Sequence, residues 1–245
     1  MLDAIVLSDL HLGSENCQAD RILQLLSWIE QQKLPTERII LNGDIFDSLN
    51  LQRLKCKHWE VVERLRALSR SREVIWIAGN HDGCSRRLSD LMGVSVLTQC
   101  VLHSGSEKIL FMHGDAFDEF IKKYPITTWM ADRLYNWLQK MDRSHGLARW
   151  AKRQSKTFLE CARKVRRGAM ARAEQLSCTI VCCGHTHHSV THEENGIAYY
   201  NSGCWTELPC SYLTIRDGVV DLREHQSSPP AISVSSSKSE LSPVA

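Results

Sequence analysis

The sequence predicts an α/β fold whose sheet is covered on its faces. Three observations lead there. Short apolar runs rich in β-branched residues recur along the chain, amphipathic segments separate the early runs, and most runs end in a short polar motif. In order, the motifs are Asp9-Leu10-His11, Gly43-Asp44, Gly79-Asn80-His81-Asp82, His113-Gly114-Asp115, Gly184-His185-Thr186-His187 and Asn201-Ser202-Gly203. Ligands of α/β sheets gather beyond the carboxyl ends of the strands, so these motifs point to one site at one sheet edge.

The elements follow in order. Residues 4–7 read as a strand leading to Asp9. Residues 19–33 place Ile22, Leu25, Leu26 and Ile29 on one helical face, and 38–41 read as the strand before Asp44. Residues 57–70 set Val61, Leu65 and Leu68 on a second helix. Strands at 73–77, 108–112 and 179–183 lead to Asn80, His113 and His185. Residues 211–224 read as a hairpin turning at Arg216-Asp217-Gly218, with Leu213, Ile215, Val219 and Leu222 around it. The last stretch, 226–245, holds eight Ser and three Pro and predicts a disordered tail. No internal repeat is evident.

Composition bounds the class. The 245 residues suffice for one domain, here 1–225, and 43% hydrophobic content is ordinary for a globular chain. The first strand begins within ten residues, which argues against a secretory leader. No apolar run reaches the ~18 residues a membrane span needs. Ten Cys are scattered without a C-x-x-C pair, and Cys182 and Cys183 fall inside a strand. A reducing, cytoplasmic setting is expected. The net charge of +2 is uneven. Residues 121–172 carry 14 Lys and Arg against Asp132, Asp142 and Glu160, a local +11, leaving −9 on the rest. This block is too long for a plain crossover and reads as a helical insertion, about 117–176. Met130, Leu134, Trp137, Leu138 and Met141 form one apolar stripe; Leu147, Trp150, Ala151 and Phe158 suggest a second.

The motif residues suit metal chemistry. Asp, His and Asn bind borderline-hard divalent ions. Asp9 and His11, two apart on an extended backbone, would face one side. Asp44 can bridge two ions through its carboxylate. Asn80 offers an amide oxygen, and His113, His185 and His187 offer imidazole nitrogens. Seven ligands with one bridge fit two ions about 3.5–4 Å apart. No thiolate lies within the motifs, which argues against a structural zinc site of the Cys type. Asp47 and Asp115 can orient ligands or cap turns. His188 and His192 fit an outer role or plain solvation, and His58 and His103 read as satisfied or surface histidines.

The ordered set resembles the calcineurin-like metallophosphoesterase superfamily, whose pattern D-x-H, G-D, G-N-H-[DE], H and G-H-x-H is complete between Asp9 and Gly203. The resemblance implies a two-sheet αββα sandwich with the insertion as a basic helical cap. It implies a first metal held by Asp9, His11, Asp44 and His187, and a second by Asp44, Asn80, His113 and His185. His81 matches a non-ligand histidine that contacts the phosphate or protonates the leaving oxygen, with Asp82 orienting it. Manganese is the expected ion, and Fe, Zn or Co also suit the donors. The implied reaction is hydrolysis of a phosphoester or phosphoanhydride by a hydroxide shared between the ions.

A narrower resemblance covers His113-Gly114-Asp115 through Trp129, Tyr135 and Trp150 to His188, and then Tyr199-Tyr200-Asn201-Ser202-Gly203-Cys204-Trp205. These stretches are similar to the UDP-2,3-diacylglucosamine pyrophosphatase family of lipid A synthesis, which releases UMP and 2,3-diacylglucosamine 1-phosphate. That likeness implies a cap holding acyl chains, with Arg163, Lys164, Arg166 and Arg167 meeting phosphates and the inner membrane surface. One departure stands out: that family places Arg after the motif Asn, where this chain has His81. The alternative is a phosphodiesterase or nuclease on the same fold. The Trp and Leu residues of the insertion, at core spacing, argue against a nucleic-acid stacking platform. A non-catalytic scaffold predicts eroded ligands, and none is missing.

Overall fold

Alternate residues of each strand pack on opposite sides, and this alternation builds the layers. The computed structural model describes residues 1–83, 89–90, 92–118 and 156–230. Among them, one sheet has the order β11 (Val219–Glu224), β10 (Ser211–Arg216), β1 (Leu2–Leu7), β2 (Thr36–Asn42), β3 (Glu73–Ile77) and β4 (Val96–Leu97). The second runs β5 (Gln99–Ser104), β6 (Glu107–Met112), β7 (Ile180–Cys183), β9 (Ile197–Asn201) and β8 (Val190–Glu194). Both are mixed: β1–β2–β3–β4 and β6–β7–β9 pair in parallel, and the remaining pairings are antiparallel.

On β1, Leu2, Ile5 and Leu7 join the core under α1 (Ala19–Glu30) and α2 (Cys56–Leu68), while Ala4 and Val6 face the other way. Between the sheets, Ala4, Val6, Ile40 and Ile77 meet Ile109, Phe111, Ile180 and Cys182. On the far side, Leu110, Met112, Val181 and Cys183 pack with Ala169, Met170 and Ala173 of α3 (Lys156–Gln175). The layers are therefore helices, sheet, sheet, helix, as the αββα expectation requires.

One side chain fixes the relative position of the two sheets. Asn42, fully buried at the end of β2, donates through Nδ2 to the carbonyls of Met112 (3.2 Å) and Cys182 (3.1 Å), at the ends of β6 and β7. The carboxyl ends of both sheets are thereby drawn to one edge.

Among the described residues each predicted strand and helix forms, most with shifted ends. The first helix stops at Glu30 because the chain turns at Gln32, where φ is +58°. The second begins near His58, whose Nδ1 accepts the backbone N–H groups of Gly13 and Lys55, both at 3.2 Å. His58 is thus a satisfied structural histidine. The hairpin closes through Asp217 and Gly218, both at positive φ (49° and 80°), as a two-residue turn matching the strand twist demands. Four strands escape the sequence reading: β4 and β5, and β8 and β9. β4 is two residues long, and β5 and β8 are the edges of the second sheet, β8 with a polar, exposed face in Val190-Thr191-His192-Glu193-Glu194; β9 lies inside that sheet, between β7 and β8.

Of the predicted insertion, residues 119–155 lie outside the described residues, and with them Trp129, Tyr135, Trp150 and the first apolar stripe; so does the tail from 231 onward. Among the described residues no helix is long and apolar enough to cross a membrane, and the described cysteines are free thiols.

Beyond β11 the chain folds back onto α1. His225 packs between Trp28 and Trp205 (ring centroids 4.9 and 5.5 Å) and its Nε2 donates to Gln24 Oε1 at 2.9 Å. Burial, then the charge of Arg21, pushes its imidazole down to about 4. A depressed pKa favours the neutral ring in the fold, so this stability is complete above the ordinary value of about 6.5 and is lost as pH falls towards 4. In EDTA, the melting temperature of His225→Gln should fall less between pH 7 and 4.5 than that of the parent chain. Parallel declines would refute the assignment.

Candidate metal centre

The loops that leave β1, β2, β3, β6 and β7 converge at the shared sheet edge. Their backbones are unusual. Asp9, His11, Asp44, His185 and His187 all sit at positive φ, between 47° and 66°. Non-glycine residues in this region cost about 1–3 kcal/mol each and persist where the surroundings over-determine them. Five of the seven predicted ligands share this conformation. Asp9 and His11 therefore meet by a different route from the one their spacing suggests: both turn through the left-handed region rather than extending, and their facing atoms are still 4.0 Å apart.

The two aspartates are held alike. Asp9, with no exposed surface, accepts the His185 N–H at Oδ2 (3.1 Å), which leaves Oδ1 for the centre. Asp44, 2% exposed, accepts the His81 N–H at Oδ1 (2.8 Å), which leaves Oδ2. Around Asp9 Oδ1 stand His187 Nε2 at 3.1 Å and His11 Nε2 at 4.0 Å, and the two imidazole nitrogens are 3.1 Å from each other. Around Asp44 Oδ2 stand His113 Nε2 at 3.2 Å and His11 Nε2 at 3.8 Å. His185 closes on Asp44 and His113, with Asn80 Oδ1 3.1 Å from its Nδ1. All seven predicted ligands are brought together, and a single oxygen of Asp44 faces both halves.

Glycines make the approach possible. A Cβ on Gly43, itself at φ +91°, would strike the His113 ring, and one on Gly79 would strike the Asp44 carboxylate.

The surrounding groups hold the ligands. His113 Nδ1 donates to the Asn42 carbonyl at 3.0 Å, which directs Nε2 inward. Asp47 Oδ1 lies 3.5 Å from His11 Nδ1 and pairs with Arg53. Asn201 Nδ2 donates to the carbonyl of Gly184 (2.5 Å), and Ser8 and Ser202 share a hydrogen bond at 2.6 Å, so the last motif fastens the loop that carries His185 and His187.

Two findings depart from the sequence reading. Asp82 does not orient His81. Its buried carboxylate accepts the backbone N–H groups of Asp44, Ile45, Phe46 and Gly79 and the Trp76 indole, which ties two ligand loops together. His81 is oriented by the Asp47 carbonyl, 2.9 Å from its Nδ1. Asp118, which no motif flags, accepts from His185 Nε2 at 2.9 Å and from the Cys161 thiol at 2.9 Å. It lies three residues beyond Asp115, at an offset without a pattern. Of the basic cluster, Arg163, Lys164 and Arg167 are exposed on α3 and Arg166 is half-buried near Tyr199.

The electrostatics follow. Burial raises the Asp44 carboxyl, but the charge of His113, then of His11 and His81, outweighs it and holds it far below the usual range. Asp9 behaves likewise: burial raises it, and His187 and then His113 reverse the sign. Burial pulls His113 down, yet Asp44 and then Asp9 drive it up to about 10. His187 is raised well above its ordinary value although burial opposes this.

A metal pair fits this donor set. Asp9 Oδ1 and His113 Nε2 are buried, point at opposite charge and have no hydrogen-bond partner among the described residues. Two carboxylates, one amide and four imidazoles match borderline divalent ions.

The sequence profile of the calcineurin-like phosphoesterases matches residues 3–189, from β1 through His187. The chain belongs to the calcineurin-like phosphoesterase family. It is accordingly a metal-dependent phosphoesterase, and the family binds metals in pairs. Its fold is similar to that of an archaeal phosphodiesterase (16% identity, 90% of this chain and 98% of that one, TM-score 0.51). Weaker likenesses link it to the phosphoesterase Yfce of E. coli (14% identity, 91% and 99%, TM-score 0.48) and to vacuolar protein sorting 29 of Cryptosporidium parvum (18%, 91% and 96%, 0.47). No curated protein sequence matches the chain.

Two predictions follow from the geometry. A metal ion needs the lone pairs that His113 and His187 give to protons in the metal-free protein. Adding Mn²⁺ at pH 7.5 should release about two protons, visible as buffer-dependent binding enthalpy, with less release as the pH approaches 10; a buffer-independent enthalpy would contradict this. Asp118→Ala should weaken one of two bound ions about 10–100-fold in a Mn²⁺ titration, and unchanged affinity would show that Asp118 is idle.

Proposed function

We propose that the chain is a two-metal phosphohydrolase. Asp9, His11, Asp44 and His187 hold the first ion, and Asp44, Asn80, His113 and His185 the second. The observation that carries this reading is the pair of orphaned buried atoms, Asp9 Oδ1 and His113 Nε2, inside ligand groups linked to one another through His11 and Asp44. When bound, two divalent ions supply Lewis acidity towards water and neutralise phosphate oxygens.

The chain's own residues supply the rest. The outer oxygens of Asp9 and Asp44 are anchored by backbone N–H groups, so the inner oxygens are pre-aimed. Asp82 and Asn201 keep the ligand loops from relaxing. His81 is exposed, donates through Nδ1 to the Asp47 carbonyl, and presents Nε2 for proton delivery to a leaving oxygen.

For the substrate, the reading is the diphosphate of UDP-2,3-diacylglucosamine, cut to UMP and the lipid 1-phosphate with Mn²⁺. It is supported by the motif likeness continuing past the ligands to Trp205. It is also supported by α3, whose Phe158 lies 6.1 Å from the ring of His188 and whose exposed Leu159 sits beside basic Arg163 and Lys164. A greasy, basic element near the centre suits a phosphorylated lipid and a peripheral membrane contact. His81, in place of Arg, favours a second reading: a phosphodiesterase acting on a simpler ester.

A panel with Mn²⁺ decides. UDP-2,3-diacylglucosamine should exceed bis-p-nitrophenyl phosphate in kcat/KM by about a hundredfold or more, and Asp44→Ala should abolish both turnover and metal loading. The reverse order of substrates selects the phosphodiesterase. Two bound ions with no hydrolysis of any ester would end the enzymatic reading.

A further inference from the structure

A buried group outside the seven ligands stands against one of them. A ring nitrogen of His187, the Cys204 sulfur and a carboxylate oxygen of Glu207 all lie within 4.8 Å of one another. Cys204 is 4% exposed and Glu207 7%. The segment that carries them is fixed to the loop carrying Asp9: Trp205 N donates to the Asp9 carbonyl at 3.0 Å, and Gln18 N donates to the Trp205 carbonyl at 2.8 Å. Thr206 Oγ1 donates to the Cys204 sulfur at 3.4 Å, so that sulfur already works as an acceptor.

A histidine that binds a metal through one nitrogen usually donates its other N–H to a fixed acceptor, which sets the tautomer and the ring plane. His187 Nε2 faces Asp9 and His11 in the centre, so Nδ1 is the nitrogen left for this role. We infer that Cys204 and Glu207 are positioning residues for His187: the Cys204 sulfur accepts from Nδ1–H, and the Glu207 carboxylate accepts from the thiol S–H behind it. No bond is made or broken. The chain His187–Cys204–Glu207 holds the imidazole with its Nε2 lone pair towards the first ion. The counterpart on the other half is visible already, where Asp118 and Cys161 hold His185. Each half of the centre then has a thiol and a carboxylate behind one imidazole, with the order of the two reversed. Burial lowers the pKa of His187, and interaction with Cys204 works against it and raises the pKa.

The inference rests on the two-ion reading, and the test separates the two. Mn²⁺ is titrated calorimetrically into the full chain freed of metal, for the parent, Cys204→Ala, Cys204→Ser and Glu207→Gln. Melting temperatures in EDTA report any loss of fold. The parent should bind two ions. Cys204→Ala should weaken one of the two steps about 10–100-fold and spare the other. Cys204→Ser, which keeps an acceptor and a donor, should recover most of that loss, and Glu207→Gln should fall between. Rescue by Ser is what a purely space-filling thiol would not show. Two ions bound with parental affinity by Cys204→Ala overturns the inference and leaves the centre intact. Failure of the parent to bind two ions overturns the reading beneath it.

Discussion

Two carboxylates buried side by side are the constraint on which this structure turns. Asp9 and Asp44 have almost no exposed surface, and each raises the pKa of groups it faces. Burying unpaired charge is among the costliest things a fold can do. Here the compensation is local and positive: four imidazoles surround the two inner oxygens. The raised pKa values of His113 and His187 favour protons there that balance the charge in the metal-free protein. Divalent ions can replace those protons without moving the ligands far, because the outer carboxylate oxygens and the outer ring nitrogens are already fixed. The architecture serves that arrangement. Two sheets meet at one edge through Asn42, and five strand ends deliver their loops to the same point.

The loops bear a cost to do so. Five of the candidate ligand residues sit in the left-handed region, where a β-carbon is crowded. The centre persists because the surroundings leave no softer alternative. Asp82 takes four backbone donors from two loops and the Trp76 indole of β3, and Asn201 and the Ser8–Ser202 pair lock a third loop. Asp82 therefore matters to geometry rather than to proton transfer, although it lies next to His81 in the sequence. Adjacent side chains commonly point apart, and here one faces the interior and its neighbour faces solvent.

How much was legible in the sequence follows from the same physics. The buried parallel strands were legible because burial on both faces demands continuous apolar runs, as in Ile39-Ile40-Leu41 and Val181-Cys182-Cys183. The candidate ligands could be picked out because they are polar residues placed at the ends of such runs. The edge strand at residues 190–194 was not legible, because an exposed strand needs no apolar pattern. Asn42 and Asp118 were not, because a residue that positions a ligand is defined by where its partner lies in space. Asn42 lies 70 and 140 residues from the carbonyls it joins, a relation no local pattern records. The expectation that Asp9 and His11 share an extended backbone reached the right meeting point through the wrong conformation, since the strand ends at Leu7 and both residues then turn.

The most direct test is anomalous diffraction from crystals grown with Mn²⁺. Two peaks are predicted about 3.5–4 Å apart, one among Asp9, His11 and His187, the other among Asn80, His113 and His185, with Asp44 Oδ2 between them. A map with no peak at the sheet edge, or with the ions held elsewhere on the chain, would contradict the account.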